Sequence, residues 1–208
     1  MKKRLPIGID DYKEVIEGGY YHIDKTLLIK ELYEEGGKIT LLPRPRRFGK
    51  TLNISMLRYF FEKTAASHAH LFTDKQIWQH DTYRAMQGTF PVISITFKDV
   101  KHTTWQETYE ALATVLAEEI KRHKSSLHGV MDEYDQERID KLIRQTASSA
   151  DYSSSLKFLS QLLSRAYNRN VIVLLDEYDT PIHTGFVHGF YDEVVSFVRN
   201  LMGGVFKG

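Results

Sequence analysis

Two short stretches of this sequence carry residues that could do chemistry together. In the first, Gly49-Lys50-Thr51 opens a run whose apolar residues Leu52, Met56, Tyr59 and Phe60 recur at helical spacing. Such a start suits a phosphate, because free backbone N–H groups and the positive end of the helix dipole receive its oxygens. Lys50 would reach the β- and γ-phosphates, and Thr51 would place its hydroxyl on Mg²⁺. In the second stretch, Asp176-Glu177 follows the aliphatic run Val171-Ile172-Val173-Leu174-Leu175. Asp176 would hold the metal through a water, and Glu177 would orient or deprotonate the water that attacks the γ-phosphorus. Adjacent residues at a strand end point differently, so one faces the metal and the other the nucleophile.

The first stretch departs from the phosphate-loop pattern G-x-x-x-x-G-K-[ST] at its first glycine, where Arg44 stands. Pro43 and Pro45 restrict the backbone on either side of it, stiffening a loop that lacks that glycine. The nucleotide-binding candidates are Arg44, Pro45, Arg46, Arg47, Phe48, Gly49, Lys50 and Thr51; Lys50 and Glu177 are the catalytic candidates, Thr51 and Asp176 the metal ligands. Arg46 and Arg47 have two readings, charge stabilisation of a transferring phosphate or a salt bridge that holds the loop. Asp179 is assigned to capping or ordering the loop before Pro181 rather than to metal.

G-K-T alone is a cheap signal, so the flanking elements decide its meaning. Ile39-Thr40-Leu41-Leu42 is expected as the strand entering the loop, with a helix after it. Val171–Leu175 has no polar break and is expected as a strand buried on both faces, as in a parallel sheet covered by helices. In such sheets ligands bind beyond the carboxyl ends of the strands, where Asp176-Glu177 and the loop are expected to meet. The remaining chain reads as a helix over 9–17 ended by Gly18-Gly19, an extended piece at 20–23, and a helix over 25–35 capped by Asp24. A polar connector over 64–80 follows, then a strand over 90–97 and helices over 105–124, 131–145 and 156–167. Residues 178–184 read as a loop, and the last helix, 190–201, ends at Gly203-Gly204. Tyr20, Tyr21 and Asp24 are assigned to packing rather than to a base.

The bulk composition narrows the classes. A chain of 208 residues with 42% hydrophobic and 26% charged residues is an ordinary globular protein with a real core. A formal net charge of +1 advertises no polyanion, so the basic clusters at 44–47 and 121–124 are judged singly; the second reads as a solvated helix end. The absence of cysteine excludes disulfides and thiolate metal sites and fits a reducing cytosol. His68 and His70 lie two apart on the connector and make no metal motif. No signal peptide or spanning segment is legible, so a soluble, cytoplasmic protein is expected.

Three motifs in order resemble one family, the AAA-ATPase-like proteins of bacteria and archaea. They are Tyr21-His22-Ile23-Asp24-Lys25-Thr26, Arg44-Pro45-Arg46-Arg47-Phe48-Gly49-Lys50-Thr51 and Leu175-Asp176-Glu177-Tyr178-Asp179-Thr180-Pro181. The resemblance makes Arg44 the family's own residue at the first-glycine position. It implies an α/β fold, a P-loop NTPase-type three-layer sandwich with a mostly parallel sheet, and ATP with Mg²⁺ as cofactors. It divides the chain into a lead-in over 1–37 and an ATPase core over 38–208.

Family members resemble larger proteins in which a nuclease-like domain of the PD-(D/E)XK type usually follows. In this class of sheet a sensor-bearing strand comes after the acidic one and inserts between it and the loop strand. The chain stops at Gly208 before that strand, so the expectation is a fragment or split gene product with impaired turnover. Three functions compete: Mg²⁺-dependent ATP hydrolysis driving a conformational change in a larger assembly, a nucleotide-binding switch or inactive remnant without turnover, and a direct nucleic-acid binder that rests only on the basic clusters. A nuclease-like domain or another protein is the expected partner, and no membrane is involved.

Overall fold

A computed structural model describes residues 3–42 and 48–206. The chain falls into two compact units, Met1–Val92 and Ile93–Gly208. The described residues are α-rich, 59% helical, with a two-stranded parallel sheet. Two strands do not make the expected three-layer sandwich.

In the first unit, helices α1 (Tyr12–Glu17), α2 (Leu27–Glu35), α3 (Lys50–Phe61) and α4 (Asp81–Met86) are joined by two 3₁₀ turns, Ala69–Leu71 and Gln76–Gln79. Asp11 starts α1 by accepting the Glu14 N–H at 2.9 Å. Its other oxygen accepts the Tyr59 hydroxyl at 2.9 Å and the Ser55 hydroxyl at 3.3 Å, which docks α1 on α3. The fully buried Tyr12 stacks on Phe72, and its hydroxyl reaches the Leu71 carbonyl at 3.3 Å. Met56, Leu57, Phe60 and Phe61 bury the inner face of α3.

The connector after α3 is better tied than its polar sequence suggests. Asp24 Oδ2 accepts the Gln76 N–H at 2.7 Å, while Oδ1 accepts both the N–H and the hydroxyl of Thr26. Thr26 is fully buried and accepts the Ile77 N–H at 3.2 Å. Asp24 therefore organises the entry to α2 as expected, but from the turn before it, since Thr26 occupies the cap position.

The expected strand at 39–42 is not formed. Ile39 and Leu41 are 56% and 63% exposed, and no strand edge among the described residues of this unit is offered to them. A strand exists only through pairing, so the apolar run alone does not make one.

The sheet pairs β1 (Val92–Thr96), which starts at the end of the first unit, with β2 (Ile172–Asp176). Around it the second unit packs α5 (Trp105–Leu127), α6 (Glu133–Ile143), α7 (Ser149–Ser153), α8 (Ser155–Tyr167), α9 (Asp179–His188) and α10 (Tyr191–Phe206). One core joins Ile93 and Ile95 of β1 to Leu112, Leu116 and Ile120 of α5, Leu159, Leu162 and Leu163 of α8, and Val194, Val198 and Leu201 of α10. Thr104, Asp132 and Ser148 cap α5, α6 and α7 through their side chains.

Three expectations are corrected here. Ile172 to Leu175 are half-buried, not buried on both faces, because among the described residues β2 has a neighbour only in β1. Residues 179–188 are helical rather than a loop. Pro181 is the third residue of α9, where its missing N–H has no intrahelical acceptor to serve. The last helix does not stop at Gly203-Gly204 but runs to Phe206.

Candidate functional site

The lysine-bearing half of the site belongs to the first unit. Gly49 is the residue before α3 and has φ +74°, the left-handed region that glycine adopts without penalty. Among the described residues no side chain caps this helix end, and its first turn carries no acid. The first backbone bond runs from the Asn53 N–H to the Gly49 carbonyl at 3.0 Å, and among the described residues the N–H groups ahead of it are given no backbone acceptor. Lys50 and Thr51 are half-buried on that turn, and Phe48 is exposed beside it. This arrangement can receive an anion. Pro43, Arg44, Pro45, Arg46 and Arg47 lie outside the described residues.

The acidic half belongs to the second unit, at the carboxyl end of β2. Asp176 is 5% exposed. Its carbonyl accepts the Phe97 N–H at 3.0 Å, which pins it to the end of β1. Its carboxylate uses Oδ1 to accept the Glu177 N–H at 3.0 Å, whereas Oδ2 is buried with no hydrogen-bond partner among the described residues. A buried carboxylate oxygen left unpaired is costly, so it marks a position where a cation or its water fits.

Glu177 follows with φ +52°, unusual for a residue with a side chain. The chain turns there from strand to helix. The Thr180 N–H donates to the Glu177 carbonyl at 3.0 Å, and the Thr180 hydroxyl lies 3.4 Å from Glu177 Oε2. Strain of this kind is held in place by its surroundings and occurs where a side chain must be aimed. Asp179 does not order a loop; it opens α9 as an acid in the first turn, where the helix dipole favours it.

A family model described as a predicted AAA-ATPase matches residues 6–207. The chain belongs to the AAA-ATPase-like family. That description supports an ATPase kind of function and, in general terms, nucleotide binding. A relative, the "Uncharacterized protein in vnfD 5'region" of Azotobacter chroococcum mcd 1, is 31% identical over 182 residues, which are 87% of this chain and 30% of that protein. The chain thus spans under a third of the length of that curated relative. No solved structure matches it.

Other parts of this AAA-ATPase-like chain bear on the remaining readings. In the basic cluster at 121–124, Arg122 and His123 contact Glu119, and Lys124 pairs with Asp140 at 2.7 Å. The cluster is therefore largely consumed by internal pairs. His70 pairs with Glu17 at 3.0 Å, and among the described residues no group of His, Asp and Glu is arranged to hold a metal by itself. No helix among them is long and apolar enough to cross a membrane.

Two roles escaped the sequence reading. Thr180 fills the variable position of its motif, and only the turn of the chain brings it to Glu177. Glu119 stands on the apolar stripe of α5 beside Leu116 and Ile120, and its signal was a lone acid on that stripe with Arg122 and His123 three and four residues on.

Proposed function

We propose that this chain binds ATP and Mg²⁺ and hydrolyses the nucleotide, as the ATPase module of a larger assembly in which turnover drives a conformational change. The N–H groups at the start of α3 and the Lys50 ammonium would take the β- and γ-phosphate oxygens, with Arg44, Pro45, Arg46, Arg47 and Phe48 completing the loop around them. The Thr51 hydroxyl directly, and Asp176 through a water, would hold Mg²⁺, which neutralises phosphate charge when bound. Glu177 would orient the attacking water and accept its proton, and the Lys50 charge would stabilise the transferring phosphoryl group.

The observation that carries this reading is the buried, unpartnered Oδ2 of Asp176, one residue before a glutamate held in left-handed backbone. The greater length of the Azotobacter relative supports a module that works within a larger protein, with a nuclease-like domain or protein partner as the recipient of the motion.

The test is Glu177→Gln. Hydrolysis of ATP by the parent chain should fall by at least about a hundredfold in the variant, within the usual range for a proton acceptor. ATP should remain bound to it after gel filtration. Lys50→Ala should lose binding itself. Equal turnover by parent and Glu177→Gln would overturn the assignment of Glu177. Binding without turnover in both would replace the enzyme by a nucleotide-binding switch.

A further inference from the structure

In the second unit, α10 sends Val194, Val198 and Leu201 into the core. Beside them Glu193, Ser196, Phe197 and Asn200 recur at the i, i+3, i+4, i+7 spacing of one helix face. A stripe with that spacing, next to a neighbouring helix, is ordinarily apolar, yet three of these four residues are polar. They line one wall of a cavity of about 380 Å³. Small residues of α7, Ser149, Ala150 and Ser153, form another wall and leave the space open, and Trp105 at the start of α5 lines it too. That volume falls within the usual range of small-molecule sites.

The aromatic part of the lining is held firmly. Phe197 is 5% exposed and Trp105 is half-buried. Their rings meet edge to face with centroids 6.2 Å apart, and Tyr109 and Phe190 also pack on the indole, at 5.7 and 6.5 Å. The polar part is free. Ser153 gives its hydroxyl to the Ala150 carbonyl at 3.0 Å, but among the described residues the side chains of Glu193, Ser196 and Asn200 make no hydrogen bond or ion pair. Among the described residues that line the cavity, Glu193 is the one that carries a charge. The helix dipole favours an acid in the first turn of α10, but Asp192 supplies one there as well and does not line the cavity.

A carboxylate beside an aromatic face suits an organic cation, because the carboxylate accepts charged N–H donors and the negative face of the ring attracts the same charge. An anion would meet the charge of Glu193 with no base on the wall to offset it. A purely apolar ligand would strip water from Glu193, Ser196 and Asn200 and give them nothing in return. We propose that this cavity binds a small organic cation, a guanidinium or primary ammonium on a short apolar stem, with the cationic head on Glu193 and the indole of Trp105 and the stem along Phe197 and Ala150.

Butylguanidinium and its neutral isostere butylurea test this on the full chain. The sequence holds two tryptophans, Trp78 and Trp105, so Trp78→Phe leaves Trp105 as the sole indole reporter, while isothermal titration calorimetry on the parent measures binding without that change. Butylguanidinium should bind saturably with a Kd of about 1 mM, the affinity open to so small a probe, and shift the Trp105 emission. Butylurea should bind at least about tenfold more weakly. Glu193→Gln should lose about tenfold in affinity for the cation, the usual worth of a charged hydrogen bond, and little for the urea. Asp192→Asn, which removes the same charge one residue away, should bind as the parent does. The proposal is overturned by the absence of saturable binding, by binding that leaves the Trp105 emission unchanged, or by equal affinity for the urea. A Glu193→Gln that binds the cation as the parent does, or an Asp192→Asn that loses as much as Glu193→Gln, would also overturn it. None of these readouts involves nucleotide, so failure here leaves the ATPase reading standing, and the reverse holds.

Discussion

Replacing Asp176 by asparagine should raise stability and remove function at once. Asp176 is 5% exposed, and one of its carboxylate oxygens has no partner. A buried group left unsatisfied costs roughly 1–3 kcal/mol, more when it is charged. Asparagine keeps an oxygen for the Glu177 N–H and removes the charge, but its own N–H₂ lacks an acceptor, so about 1 kcal/mol of that cost should be recovered. In a domain of this size that is a rise in Tm of about 2–4 °C. The liganded state should behave oppositely. Mg²⁺ and ATP at a hundredfold excess over Kd stabilise the parent by about 2.7 kcal/mol, and the variant should lose the metal-dependent share of that gain. Thermal melts of both proteins in EDTA, in Mg²⁺, and in Mg²⁺ with ATP would show the two curves crossing. An Asp176→Asn that melts below the parent in EDTA, or that gains as much from Mg²⁺ and ATP, would refute the reasoning.

Three other outcomes are expected. The carboxyl of Glu119, raised by burial but brought by its bonds from Arg122 and His123 from 4.5 to about 2, contributes about 3 kcal/mol of stability that is fully present above the ordinary glutamate range and lost as pH falls from there towards 2. The gap between the parent and Glu119→Gln in urea unfolding should therefore narrow across that window, and a constant gap would count against it. Gly49→Ala should cost about 1 kcal/mol, because φ is +74° while the space for a methyl group is open; differential scanning calorimetry measures it. Gly185→Ala should cost about 2–3 kcal/mol, since a Cβ there would lie 2.6 Å from Val194 Cγ1 and 3.2 Å from the Phe190 carbonyl; the chemical-denaturation midpoint would report it.

Where a local signal and the tertiary environment agree, the sequence was enough. The helix after Gly49 and the aliphatic run of β2 were both legible, because helical spacing and a β-branched run each act over a few residues. What failed depended on partners far along the chain. Ile39–Leu42 has strand composition but, among the described residues of its unit, no strand edge to pair with. Residues 178–184 read as a loop because the place of Pro181 within a helix could not be known before the helix start was placed. Gly203-Gly204 looked like a stop, yet α10 continues through them, and close approach to α8 explains Gly204, where a Cβ would come within 3.2 Å of Lys157. At the candidate site the residue types were readable, and Asp176 and Glu177 fall at the strand exit where the run of Val171 to Leu175 placed them. The unpaired Oδ2, the left-handed Glu177 and its contact with Thr180 were not readable, since each arises from geometry at a chain reversal.

The engagement of Asp24 changes how a signature should be weighed. Its Oδ2 and the hydroxyl of Thr26 join segments about fifty positions apart, with the backbone of Gln76 and Ile77 as the far attachment, while its Oδ1 holds Thr26 itself. A recurring acid next to a lysine invites a chemical interpretation, but here the acid and the threonine act as a rivet, and Lys25 between them is exposed. Recognition motifs can thus be built from architecture and chemistry in unequal parts, and sorting the two requires asking of each polar atom whether it still has a bond to give.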